Sequence, residues 1–270
     1  MVLEMKAPEA PTSVKERAPV PSHLLDSAPP GWRARIGIIM PSAEQGATVR
    51  EYELLFPQGV VPLVTRMMFR QPTVEDLIRM SKDAEYAAEL LATAFPHSTS
   101  YTCTSGAFVM GLKYDQDLMA KIERITRAPA TTMAYAVVEA LRSLKAKNIV
   151  VVAPYTEDIV AAELKYYPQH GFNVVSHKGL NIAEVSRIMA IPPWETHELA
   201  VRAFREAPRG TDAIFITCGG LRAVEIIDYV ERDTGVPCVS SNQANAWHCL
   251  KLAGIHEPIY GFGKLLEMPR

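Results

Sequence analysis

Ile214-Phe215-Ile216-Thr217-Cys218-Gly219-Gly220 is an apolar run that ends in a cysteine and two glycines. β-favouring residues followed by small ones predict a buried strand, and residues 221–233 predict the helix after it. Such a junction places the Cys218 thiol at the carboxyl end of a strand, beside the free N–H groups that open a helix. In open α/β sheets ligands bind there, and the positive helix end favours anions and lowers a thiol's pKa.

An earlier stretch repeats the pattern. Ser100-Tyr101-Thr102-Cys103-Thr104-Ser105-Gly106 precedes a helix-like segment over 107–120, and the two cysteines lie 115 residues apart (218 minus 103). Other landmarks keep nearly the same offset. Ile36-Gly37-Ile38-Ile39-Met40-Pro41 and Ile149-Val150-Val151-Val152-Ala153-Pro154 are buried strands closed by prolines 113 apart (154 minus 41). Phe56-Pro57-Gln58-Gly59 and Pro168-Gln169-His170-Gly171 turn into the next strands, residues 60–69 and 172–176. Ala130-Thr131-Thr132 precedes a helix over 133–144 as Val239-Ser240-Ser241 precedes one over 242–252. The chain therefore reads as an α/β duplication: two similar parallel-sheet, flavodoxin-like lobes related by pseudo-twofold symmetry. The first lobe spans 34–147, completed by the segment 242–270, and the second spans 148–241. Loops of one kind share one edge of a parallel sheet, so Cys103 and Cys218 are expected to enter one cleft from opposite sides. Thr104, Ser105, Gly106, Gly219 and Gly220 would line it with donors suited to a carboxylate or an enolate.

Length and composition place no obstacle in the way. The chain has 270 residues, 48% hydrophobic and 21% charged, enough for two small cores. A formal net charge of -2 gives no reason to expect nucleic acid or an anionic membrane as partner. No apolar run approaches the ~18 residues that span a bilayer, and Glu4 stands where a secretion signal needs positive charge, so a cytoplasmic location is expected. The four cysteines are then expected reduced, with Cys238 and Cys249 in the core. No CxxC pair and no zinc-like histidine spacing occurs, so no metal is expected, and no GxGxxG follows the first strand, so the glycines make no dinucleotide fingerprint. Residues 1–33, rich in Pro, Ala, Glu and Ser, read as a flexible arm.

Taken together, 36–41, Cys103-Thr104-Ser105, Thr131-Thr132-Met133, Ala153-Pro154-Tyr155, Cys218-Gly219-Gly220-Leu221 and Val236-Pro237-Cys238-Val239-Ser240-Ser241 resemble the aspartate/glutamate racemase superfamily. The likeness is to its branch of maleate cis-trans isomerases and arylmalonate decarboxylases, and it extends from about residue 35 to the carboxyl end. It implies a cofactor-independent enzyme acting on a small carboxylate, at the carbon next to the carboxyl group. Isomerases and racemases of the superfamily keep a cysteine in both lobes, whereas the decarboxylases have glycine at the first. With both thiols present, the chain looks like the two-cysteine type. By that analogy Cys103 would add to the double bond, and Cys218 would exchange the proton on the neighbouring carbon. Pro41, Tyr155, Thr104, Ser105, Gly219 and Gly220 would hold substrate, and Asn181 matches a further carboxylate-contacting asparagine. A homo-oligomer is expected.

One departure concerns the loop after the first strand, where maleate isomerases carry a substrate-contacting asparagine and this chain reads Pro41-Ser42-Ala43-Glu44-Gln45. An anionic Glu44 would repel a substrate carboxylate. Either Gln45 replaces the asparagine, or Glu44 turns away, or the substrate is neutral or cationic there.

Simpler roles stand beside these. Tyr155 packs at the lobe interface, Asn181 caps a helix over 182–189, and Glu157-Asp158 starts a helix where negative charge is favourable. Thr48 caps a helix over 48–55, with Glu51 at capping-box spacing. The competing activities are arylmalonate-type decarboxylation, with Cys218 alone as proton donor, and a small-anion binding protein without chemistry.

Overall fold

Eight short strands alternate with helices in two rounds of the same order. The structure, a computed structural model, describes residues 28–270, so most of the expected arm lies outside the described residues. The first round runs β1 (Ala34–Pro41), α1 (Ala47–Leu55), β2 (Val60–Met67), α2 (Val74–Ser81), α3 (Ala84–Ala92), β3 (Ser98–Tyr101), α4 (Thr104–Met110), α5 (Leu112–Thr126), β4 (Ala130–Thr132) and α6 (Met133–Ser143). The second runs β5 (Asn148–Ala153), α7 (Glu157–Tyr166), a 3-10 turn, β6 (Asn173–Gly179), α8 (Val185–Met189), α9 (Pro193–Glu206), β7 (Ala213–Ile216), a 3-10 turn (Val224–Ile226), α10 (Ile227–Thr234), β8 (Cys238–Ser240), α11 (Ser241–Leu252) and the short α12 (Lys264–Glu267).

Two parallel four-stranded sheets result, ordered β2-β1-β3-β4 and β6-β5-β7-β8. The registers of the inner pairs repeat residue for residue, whereas the β5–β6 pair carries a shift between Ile149 and Val150 that β1–β2 lacks. Ile39 pairs with Tyr101 and Tyr101 with Thr132; in the second sheet Val152 pairs with Ile216 and Ile216 with Ser240. Pro41 and Cys103 thus stand two residues beyond one paired level, and Pro154 and Cys218 two beyond its equivalent. Thr132 and Ser240 each cap the next helix through a side-chain oxygen that accepts an N–H three residues on. Both central strands of the second sheet are apolar on both faces. Ile149, Val151 and Phe215 face the core shared with the first sheet, while Val150, Val152, Ile214 and Ile216 face α9 and α10, as expected for parallel strands covered on both sides. α11 leaves β8 and lies against β3, β4, α1 and α6. Among the described residues no helix is long and apolar enough to cross a membrane.

Several local expectations are corrected. The helical stretch before β3 is divided into α2 and α3 at Lys82-Asp83, where the Asp83 carboxylate accepts the Met68 N–H. The helix after Cys103 is broken at Gly111, whose φ of 85° no helix continues through. Residues 221–223 are not helical: the chain makes a turn and a 3-10 turn, and α10 starts only at Ile227.

Candidate active site

The carboxyl ends of the strands deliver their loops to one small cleft of about 60 Å³. Cys103, Thr104 and Ser105 enter it from the β3–α4 junction, Cys218, Gly219 and Gly220 from the end of β7, Tyr155 from the end of β5, and Pro41 and Glu44 from the end of β1. Thr48, Phe69, Pro72, Thr102, Val185, Ile188 and Met189 complete the wall. The lining therefore combines hydroxyls, thiols and backbone amides with apolar side chains.

Cys103 is the N-cap of α4, in extended conformation and 7% exposed, with Sγ 3.7 Å from the Ser105 hydroxyl. Burial pushes its thiol above the ordinary 9, and the Gly106 N–H and Ser105 offset only part of that. Cys218 is half-buried and left-handed, with φ 94°. A non-glycine residue there stores strain of about 1–3 kcal/mol. The turn is held by the Cys218 N–H donating to Ser241 Oγ at 3.0 Å and the Leu221 N–H donating to the Cys218 carbonyl at 3.2 Å. Burial pushes this thiol up to about 11, although the Tyr155 hydroxyl and the Gly220 and Leu221 N–H groups face the sulfur and favour its charged form. Burial thus works against the lowering expected of a helix start. Desolvation outweighs two or three donors, and behind Cys218 there is a turn instead of a helix end.

The residues beside the thiols are engaged as well. Thr104 Oγ1 donates to Ser241 Oγ at 3.0 Å, so its proton is committed to the protein. Tyr155 is 4% exposed, packs edge-on against Phe108 and faces the Cys218 sulfur, so packing and site roles coincide.

Glu44 lines the cleft, but its carboxylate is engaged by the protein. Its carboxylate accepts the Gly46 N–H and the Thr48 N–H, each at 2.9 Å, and so caps α1. The foreseen capping box is absent, because Gly46 is the N-cap and Thr48 instead donates its hydroxyl to the Gly219 carbonyl at 3.1 Å. Glu51 reaches across to the turn after Cys218: Oε1 accepts the Ala223 and Val224 N–H groups at 2.8 and 2.9 Å, and Oε2 accepts Asn242 Nδ2 at 2.6 Å. Burial pushes Glu51 up to about 7 against these bonds.

Asn181 does not enter this cleft. It is exposed, left-handed at φ 53°, and lines a separate hollow with Glu157, His177 and the outer side of Tyr155. Nor does it cap a helix, since Glu184 is the N-cap of α8. Sequence reasoning missed the apolar wall and the pair Ser241 and Asn242, although both lie in or next to the quoted Val236 to Ser241 motif.

The chain's sequence matches the family described as arylmalonate decarboxylase over residues 36–266. The chain belongs to the arylmalonate decarboxylase family. A member from Bordetella bronchiseptica, named arylmalonate decarboxylase, is 32% identical over 165 residues, 61% of this chain and 68% of that protein. A maleate isomerase of Pseudomonas putida is 27% identical over 245 residues, 86% of this chain and 97% of that protein. Among solved structures, a maleate isomerase from a Pseudomonas putida strain superposes with a TM-score of 0.78 at 26% identity, covering 87% of this chain and 98% of the other. The chain is thus an enzyme of the arylmalonate decarboxylase family with the two-sheet fold of these relatives.

Proposed function

We propose that this family member is a cofactor-independent isomerase that uses Cys103 and Cys218 on opposite sides of a planar carbon next to a carboxylate. The observation that carries the reading is the position of the two thiols. They stand at register-equivalent strand ends, line one small cleft, and are near enough that charge on Cys103 disfavours charge on Cys218. One thiol of the pair must be ionised and the other protonated. In cis-trans isomerisation the Cys103 thiolate forms a C–S bond as the adjacent carbon takes the Cys218 proton. The remaining C–C single bond rotates, Cys218 recovers the proton, and the C–S bond breaks. In stereoinversion one thiolate removes the α-proton and the other thiol returns one to the opposite face. The likeness to maleate isomerases supports this reading, in which Ser105 and the Gly219 amide would hold the carboxylate.

A second reading is favoured by the protonated Cys218 and by the wall of Phe69, Pro72, Val185, Ile188 and Met189. That reading is decarboxylation of a malonate with an apolar substituent, with Cys218 protonating the enolate. Proton NMR in deuterated buffer separates the two. With maleate, or with a single enantiomer of a 2-arylpropionate, the isomerase gives fumarate, or a deuterated racemate, and Cys103→Ala gives neither. Loss of carbon dioxide from phenylmalonate, undiminished in Cys103→Ala, overturns the isomerase reading.

A further inference from the structure

Glu51 and Asn242 touch no part of the cleft surface, yet they meet behind its second thiol. Asn242 Nδ2 donates to Glu51 Oε2 at 2.6 Å and to the Gly219 carbonyl at 2.8 Å, and Thr48 Oγ1 donates to the same carbonyl at 3.1 Å. The peptide unit is planar and trans, so its N–H points opposite to its C=O. A Gly219 carbonyl drawn toward Asn242 and Thr48 therefore turns the Gly220 N–H the other way, and Gly220 lies against the Cys218 sulfur, which a Cβ there would meet at 3.7 Å. Crowding supports the same geometry. A Cβ on Gly219 would come within 3.0 Å of Thr48 Oγ1 and 3.1 Å of Asn242 Oδ1, so the two groups close directly on that residue. On its other oxygen Glu51 holds the Ala223 and Val224 N–H groups, the far end of the same turn.

We propose that Glu51 and Asn242 are a positioning pair, reaching from α1 and α11, that fixes the Gly219–Gly220 peptide so that its N–H is aimed at the Cys218 sulfur. Only a carboxylate at 51 satisfies the arrangement. Glutamine offers one oxygen and one NH2 to three N–H donors, so either a turn N–H or Asn242 is left facing a donor. If Asn242 flips to accommodate it, Asn242 Oδ1 faces the Gly219 carbonyl and the clamp opens. Cys218 then loses a hydrogen bond to its ionised form.

This proposal rests on the reading of Cys218 as the reacting thiol only for its consequence in catalysis. The test needs no substrate and so fails independently of that reading. Alkylation of Cys218 by iodoacetamide, followed by peptide mass spectrometry from pH 7 to 10.5, is compared in the natural protein, Glu51→Gln, Asn242→Ala and the double variant Glu51→Gln/Asn242→Asp. The clamp predicts Cys218 alkylation at pH 9 slowed roughly tenfold in Glu51→Gln and Asn242→Ala, the worth of one hydrogen bond to a charged group. The double variant restores a donor–acceptor pair between 51 and 242 but still presents an acceptor to the Gly219 carbonyl. It therefore does not recover the alkylation rate. Thr48→Val removes only the other donor on that carbonyl, leaves the Glu51 bonds intact and slows alkylation by a smaller factor. Should the Glu51 and Asn242 variants fail to fold, this variant alone decides. An unchanged Cys218 profile in any folded member of the set, or its full recovery in the double variant, overturns the proposal.

Discussion

The Thr104 hydroxyl donates to the Ser241 oxygen at 3.0 Å, and that oxygen also accepts the Cys218 N–H at 3.0 Å. One buried serine thus joins the residue after the first thiol to the backbone of the second, across the two halves of the duplication. Ser241→Ala leaves both donors buried without their acceptor, at about 2–3 kcal/mol. Urea unfolding measures this, and a loss below about 0.5 kcal/mol would mean that the two thiol turns do not depend on the link.

The thiols also set a pH dependence. Burial holds Cys103 above 9 and Cys218 at about 11, so the free protein near neutrality carries both as neutral thiols. An isomerase needs one thiolate. Its kcat/KM, which reports ionisations of the free enzyme, should rise close to tenfold per pH unit from 7 to 9. A decarboxylase that uses Cys218 only as proton donor needs no thiolate at the start, and its kcat/KM stays flat or falls over that range. The slope separates the two readings without any variant.

Glu44 gives a prediction that depends on which way its carboxylate points. As a cap it satisfies the Gly46 and Thr48 N–H groups at the start of α1, where the positive end of the helix also favours it. Glu44→Ala should cost about 1–2 kcal/mol in urea unfolding, with the KM of an active substrate changed less than about threefold. A large change in KM with unaltered stability would return Glu44 to the substrate.

The strands and both thiols were legible because their signals are local. An apolar run ending at proline or cysteine, repeated at a fixed offset, marks a strand end whatever surrounds it. Where the sequence misled, a distant partner decided the outcome. Glu51 has capping-box spacing from Thr48, but its carboxylate is drawn 172 residues along the chain to the Ala223 N–H. The thiols follow strand ends that ordinarily favour thiolates, but how completely the second lobe and α11 enclose them is a tertiary matter, and desolvation wins. The apolar wall could not be read because Phe69 and Pro72, in the loop after β2, meet Val185, Ile188 and Met189 of α8 from the other half of the chain, and no local signal announces that meeting.

Glu163, on α7, gives a final prediction in which burial acts without compensation. It is fully buried, and among the described residues neither carboxyl oxygen has a hydrogen-bond partner, though the Thr217 hydroxyl faces it and slightly favours the charge. Burial pushes its pKa from 4.5 to about 8. Between those values the folded protein keeps a proton that the unfolded chain releases. Stability contributed by the neutral form is therefore complete below pH 4.5, falls as pH rises, and levels off above about 8, with up to roughly 5 kcal/mol lost in all. Glu163→Gln cannot ionise and escapes that loss. Glu51 and His248, which titrate in the same region, are present in both proteins and cancel in the difference. The variant should therefore match the natural protein within about 1 kcal/mol at pH 5 and exceed it by several at pH 8.5. Urea midpoints at the two pH values measure it, and parallel curves would show that Glu163 is ionised and paired in the fold.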